Sequence, residues 1–251
     1  MIETTALAII FSTFLLAGAV KGVIGLGLPT VSLAILTVVF DLTAAMALLI
    51  VPSLLTNIWQ ACVGGHARSL IFGLWPFLLL AGGTVWIGAL GLTRVDLALL
   101  SALLGLLLVA YALTGLTGFR MSVAKGTQVW MSPVMGAVNG VLTGLTGSFT
   151  VPGVMYLQAI GLPRDQLIQA MGMLFTVSTL ALAIALGGND LLSTELSIVS
   201  LAALLPAILG MMVGQKLRGI LSEQQFRSVF FIALLLLGGY IVLQSGAFVT
   251  V

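Results

Sequence analysis

Apolar residues run through this chain so evenly that its organisation shows mainly where the pattern stops. Hydrophobic stretches fall at about 4–27, 29–40, 42–62, 70–91, 95–117, 129–147, 150–161, 166–187, 195–215 and 223–246, with turn-forming residues between them. Most reach the ~20 residues a helix needs to cross ~30 Å of hydrocarbon. The second and seventh have only about 12 residues, roughly 18 Å of helix, and cannot span alone. The pattern predicts an all-α polytopic membrane protein in which each short segment forms a broken or re-entrant pair with its predecessor.

The two short segments follow related sequences. Residues 17–29 read AGAVKGVIGLGLP, and residues 135–152 read MGAVNGVLTGLTGSFTVP. Gly18–Val23 matches Gly136–Val141 at an offset of 118 with five of six residues identical, and Lys21 stands opposite Asn139. Ala45-Met46 then matches Ala170-Met171 at 125, which places a loop seven residues longer at the second break. Leu92 and Tyr111 match Leu221 and Tyr240 at 129, with Pro76 opposite Pro206 within one residue of that register. The chain therefore reads as a duplication: a first membrane repeat over 1–117, a linker over 118–128 and a second repeat over 129–251, each of about five helical segments.

Charge supplies an orientation. If each broken pair crosses the bilayer an even number of times, Arg68, Arg120, Lys125, Arg164, Lys216, Arg218 and Arg227 share one face, and only Arg94 lies on the other. A single crossing per pair would split the basic residues three against five. One-sided bias is what the positive-inside rule expects. The repeats are thus expected to be inverted in a cell (inner or plasma) membrane, with the linker cytoplasmic and both termini outside the cytoplasm.

Composition narrows the function. At 60% hydrophobic and 6% charged, with a mean hydropathy of +1.26, the 251 residues cannot cover a soluble globule with polar surface. Nine Lys and Arg and a net charge of +2 make no basic patch for nucleic acid. The N-terminal run carries an acid and no basic region, so it reads as a first span and not a signal peptide. Cys62 is the single cysteine, and with His66 it is too sparse for a metal site, so neither metal nor cofactor is expected. No Ser/His/Asp set or phosphate loop occurs, and no Asp or Glu falls within a span. The chain offers no catalytic residue and is not expected to be an enzyme.

Chemistry concentrates in the two breaks. Irregular backbone at membrane depth is tolerated only where it is buried in protein or lines a cavity. The breaks at Gly25–Gly27 and at Gly144, Gly147 and Ser148 are therefore expected inside the protein, facing each other across a pseudo-two-fold axis. Pro29 and Pro152 fall in the first turn of the helices that follow, where a missing N–H costs nothing. Free N–H groups and the positive dipole end of such a half-helix suit an anion. The alternative is that the glycines only let helices pack closely.

Lys21 is the one basic residue well inside a span. Charge at that depth marks a substrate or ion path, unless the side chain snorkels to the surface. Its ammonium would suit an oxygen of a sulfonate, sulfite or carboxylate. Asn57 and Gln60 share a helix face at i, i+3, and Gln169, Thr176 and Ser178 lie on the eighth segment, with Ser53 and Ser178 matched at offset 125. These either line the path or hydrogen-bond helix to helix. The binding set read from the sequence is Lys21, Gly25, Gly27, Asn57, Gln60, Asn139, Thr143, Gly147, Ser148, Thr150 and Gln169. Pro29, Gly144 and Pro152 shape the breaks.

Each half opens with a Gly-rich break followed by Pro and then an Ala-Met turn into the next helix. The second-half signature is Gly140-x3-Gly144-Leu145-Thr146-Gly147-Ser148-x3-Pro152, followed by Gly161-Leu162-Pro163-Arg164. On these residues the chain resembles the TauE/SafE family of sulfite and organosulfonate exporters over essentially its full length. The family's core is richer in glycine, G-x-G-G-G; Thr146 and Ser148 stand at two of those places here and add hydroxyls. The resemblance implies export of a small sulfur-containing or carboxylated anion across a bacterial-type inner membrane. Combined with the duplication, it gives a secondary-type transporter working by alternating access between inverted repeats. Its partners would be the anion and the bilayer, with no nucleic acid and a homodimer allowed. Two other functions remain open: an anion channel, which would show flux without counterflow, and a non-transporting membrane assembly module, which would carry its polarity along a lipid-facing groove.

Overall fold

In hydrocarbon every backbone donor must be satisfied within its own segment, so long apolar runs become helices. The computed structural model describes residues 3–119, 121–220 and 222–246. Arg120 and Leu221, which entered the charge count and the repeat register, lie outside them. The helices are α1 (Thr4–Ile24), α2 (Leu28–Val39), α3 (Leu42–Cys62), α4 (Ala67–Gly83), α5 (Val85–Ala89), α6 (Leu97–Thr117), α7 (Lys125–Thr146), α8 (Met155–Ala159), α9 (Arg164–Gly188), α10 (Thr194–Leu217) and α11 (Glu223–Gln244). A 3-10 turn at Leu90–Thr93 follows α5, and a π turn at Thr150–Val154 precedes α8. Among the described residues there is no strand.

Counting Ala67–Thr93 as one stretch, seven are long and apolar enough to cross a membrane. The 12-residue α2 is too short. The 22-residue α7 is long enough, but its glycines, hydroxyls and Asn139 dilute it below the other spans. It also begins at Lys125, inside the stretch read as a linker. The run at 70–91 is interrupted after Gly83. There the Thr84 hydroxyl donates to the Leu80 carbonyl and contacts the Ala137 carbonyl, both at 2.8 Å, and joins the α4–α5 break to α7. Side-chain caps mark other starts: Asp41 Oδ1 accepts the Ala44 N–H at 2.7 Å before α3, and Asp96 accepts the Ala98 N–H at 2.8 Å before α6.

Two compact units result, and neither follows the chain order. One holds α1, α2, α3 as far as Pro52, α6, α10 and α11; the other holds α3 from Ser53, α4, α5, α7, α8 and α9. Each unit is built on one glycine-lined helix pair. In the first, α1 lies against α10: a Cβ on Gly18 would collide with the Ala207 carbonyl, and one on Gly22 with the Met211 carbonyl and the backbone of Gly214. In the second, α7 lies against α4 and α5: a Cβ on Gly136 would collide with the Phe77 carbonyl, and one on Gly140 with the Ala81 carbonyl and Thr84.

The residues in these two contacts are related by constant sequence offsets. Gly18 and Gly22 become Gly136 and Gly140 at an offset of 118, and Phe77, Ala81 and Thr84 become Ala207, Met211 and Gly214 at 130, the offset of Pro76 and Pro206. In both cases the first long helix of one half packs on the fourth segment of the other. Backbones this close exclude lipid and gain dispersion contacts along their length. The first unit is completed by α6 against α11, where Gly105 and Gly238 meet and Tyr111 sits edge-on to Phe231 at 5.3 Å.

Candidate functional site

The break after α7 is the more polar of the two. Gly147 ends the helix in the left-handed region (φ 71°), and its N–H closes on the Thr143 carbonyl at 2.7 Å. The chain then turns on its own hydroxyls. Thr143 Oγ1 donates to the Ser148 carbonyl at 3.0 Å, Thr146 Oγ1 accepts the Ser148 N–H at 3.2 Å, and the Ser148 and Thr150 hydroxyls share a bond at 3.1 Å. Val151 is extended (φ −118°, ψ 124°), and helical geometry resumes at Pro152.

Asn139, in the middle of this arrangement, reaches across the break. Its Oδ1 accepts the Gly153 N–H at 2.9 Å, so a side chain of α7 caps the segment that follows. Its Nδ2 has no hydrogen-bond partner among the described residues, although the residue is fully buried (0% exposed). A buried donor left unmade costs about 1–3 kcal/mol. Such a donor is chemically matched to an acceptor brought in from outside, and an anionic oxygen is the strongest of these. Thr143, Ser148 and Thr150 around it are buried as well.

The break after α1 is shorter. Gly25 (φ 80°) ends the helix with its N–H on the Lys21 carbonyl at 2.8 Å, and Gly27 (φ 110°) opens α2, with Pro29 in its first turn. Positive φ at both positions calls for glycine. Lys21 is 4% exposed. A snorkelling lysine keeps its ammonium in water, which that burial does not provide within the chain.

Four of the seven extra residues of the second break have a definite location. Gly25 comes four residues after Lys21, whereas Gly147 comes eight after Asn139, so α7 runs one turn further before its cap. That turn is held because Gly144 lies directly on the α5 backbone at Val85–Ala89. Asn139 is consequently a full turn deeper in its helix than Lys21.

The remaining candidates form two further groups between α3 and α9. Asn57 Nδ2 donates to Ser53 Oγ at 3.0 Å, and that hydroxyl lies 3.4 Å from Thr179 Oγ1. Gln60 Nε2 donates to the Ile168 carbonyl at 2.7 Å; Gln169 Nε2 donates to the Ala61 carbonyl at 2.8 Å and its Oε1 accepts the His66 N–H at 3.0 Å. The two glutamines thus interlock the helices by bonding each other's neighbouring carbonyls. Asn139, Thr143, Gly144, Gly147, Ser148, Thr150 and Pro152 come together in one unit, and Lys21, Gly25, Gly27 and Pro29 come together in the other. Gly153 and Thr179 belong to these networks without having been singled out from the sequence. A glycine N–H carries no sequence signal, and Thr179 is one of many hydroxyls on apolar helices.

A helical membrane chain with two Gly-rich breaks narrows the family. The family described as sulfite exporter TauE/SafE matches the chain over residues 10–241. The chain belongs to the TauE/SafE family. No curated protein and no solved structure matches it. As a TauE/SafE protein it is a multi-pass membrane transporter and not an enzyme, and its family's sulfite export fits an anionic substrate.

Proposed function

We propose that this TauE/SafE protein is a secondary transporter that exports a small oxyanion, a sulfite, organosulfonate or related carboxylate, from the cytoplasm by alternating access. The observation that carries this reading is Asn139: one side-chain atom caps Gly153, and the other is a fully buried donor with no partner among the described residues. Neutral N–H and O–H donors at this break complement the several acceptor oxygens of a sulfite or sulfonate. Lys21, at the repeat-equivalent sequence position, is a basic residue that is also buried.

The one-sided distribution of Arg and Lys supports inverted repeats in the inner membrane, with 118–128 cytoplasmic and both termini outside. Inverted repeats present the same motif to opposite sides of the bilayer, which is what alternate exposure of an anion requires. A C-terminal reporter active only in the cytoplasm should stay silent; a bright one would overturn this orientation.

Counterflow in proteoliposomes tests the transport reading. With labelled methanesulfonate outside and unlabelled sulfite, sulfonates, carboxylates or chloride preloaded inside, the wild type should accumulate label when preloaded with oxyanions. Uptake that equilibrates without any counterflow would make the protein a channel. No uptake from folded protein with any anion would favour the assembly module.

A further inference from the structure

Ser178 on α9 is fully buried, and its hydroxyl has no hydrogen-bond partner among the described residues. A hydroxyl inside a helix ordinarily donates to the carbonyl four residues back. This protein does so repeatedly: Ser32 to Leu28, Thr146 to Leu142 and Thr176 to Gly172, each at 2.7 Å. Ser178 has the Leu174 carbonyl at that position and makes no such bond.

Where Ser178 lies gives the omission a meaning. Leu174 is one turn before Ser178 on the same face of α9. The Leu174 side chain closes on Gly153, where a Cβ would come within 2.8 Å of Leu174 Cδ2 and within 2.8 Å of Asn139 Cγ. Gly153 is therefore flanked by Asn139 of α7 and by the face of α9 that carries Ser178. Asn139 Nδ2 and Ser178 Oγ are two fully buried, unpartnered polar atoms on the two helices that meet over this glycine.

We propose that Ser178 is a substrate-contacting residue, its hydroxyl and Asn139 Nδ2 donating together to the oxygens of one bound oxyanion over Gly153. This inference rests on the exporter reading and adds a specificity rule to it. Both donors are neutral, so they select by hydrogen-bond geometry and not by charge. An anion with two or more acceptor oxygens on one atom, as in sulfite, a sulfonate or a carboxylate, satisfies both; a halide offers one centre. Gly153 is required because a Cβ there would come within 2.8 Å of both Asn139 Cγ and Leu174 Cδ2 and push α7 and α9 apart.

The test is ligand-dependent thermal stability of the purified full-length protein, titrated separately with methanesulfonate, sulfite, acetate and chloride. Without ligand, Ser178→Ala should melt at or slightly above the wild-type temperature, because it removes an unpaired buried hydroxyl. With methanesulfonate its apparent affinity should fall roughly tenfold or more, the loss expected for one hydrogen bond to a charged ligand, while chloride titrations change less. Ser178→Thr, which keeps the hydroxyl, should recover much of the affinity. Ser132→Ala, which removes another unpartnered buried hydroxyl two turns from Asn139 on α7, should titrate like the wild type. A Ser178→Ala protein that melts lower yet binds methanesulfonate unchanged would show the hydroxyl to be structural and overturn the inference alone. A wild type stabilised by no anion would overturn the exporter reading with it.

Discussion

The Ser200 hydroxyl on α10 donates a 2.8 Å hydrogen bond to the Leu48 carbonyl on α3, the acceptor that Pro52 leaves without a donor. In an uninterrupted helix the N–H of residue 52 would fill it, and proline has none. The same hydroxyl accepts the Val51 N–H at 3.2 Å, so one side chain bonds two backbone groups in the turn before Pro52. Ser200→Ala should therefore destabilise the protein by about 1–3 kcal/mol. In a Pro52→Ala background the cost should shrink, because residue 52 then supplies its own N–H. A double-mutant cycle on unfolding in detergent reads this directly, and equal costs in both backgrounds would refute the repair.

The glycine-lined helix pairs predict a matched set of stability losses. Gly18→Ala drives a methyl into the Ala207 carbonyl, and Gly136→Ala drives one into the Phe77 carbonyl. Backbone on backbone cannot yield by a rotamer change, so each should cost about 1–3 kcal/mol or more. Gly73→Ala on α4 meets nothing within 4 Å and should be neutral or stabilising. Melting temperatures of the three variants check this: similar large drops for the first two and none for the third.

Two kinds of buried amide should separate in function. Asn139→Ala leaves the Gly153 N–H unpaired and removes the one amide donor at the break, so it should lose both stability and oxyanion counterflow. Gln169→Leu removes bonds to the Ala61 carbonyl and the His66 N–H, which tie α9 to the end of α3 and to the loop after it. It should cost about 1–3 kcal/mol while leaving the KM of the folded protein for methanesulfonate near the wild-type value. A raised KM in Gln169→Leu would return this residue to the substrate path.

That separation also shows what a linear reading can reach. Helix positions were legible because hydrocarbon enforces helices wherever an apolar run is long enough, and the Gly25 and Gly147 ends were legible because left-handed caps favour glycine. Gly18 and Gly136 were visible as identical residues at an offset of 118, and what the sequence did not show is that they pack on the Ala207 and Phe77 backbones. What the sequence hid was partnership. Spacing leaves Gln60 and Gln169 open to lining the path or to bonding helix to helix and does not show their donors on the Ile168 and Ala61 carbonyls, and Ser200 looks like an ordinary helix serine until Pro52 is seen beside it. Each of these bonds spans more than 100 residues, a separation at which neither periodicity nor local spacing carries information.

Lys21 and Asn139 occupy equivalent positions in the two halves, yet only one carries charge, and that asymmetry yields the last prediction. Lys21→Asn would make the two breaks alike and neutral while keeping a shorter polar group at a site that is 4% exposed. If the ammonium balances the charge of a passing anion, counterflow of methanesulfonate should fall by roughly ten- to a hundredfold, the range for losing a hydrogen bond to a charged group. Lys21→Arg should retain part of it, since the charge persists but the guanidinium is bulkier and planar. Initial rates in proteoliposomes, normalised to protein shown to be folded by its melting curve, decide the matter. Wild-type rates in Lys21→Asn would mean that the lysine supports the end of α1 and that the anion is held by neutral donors alone.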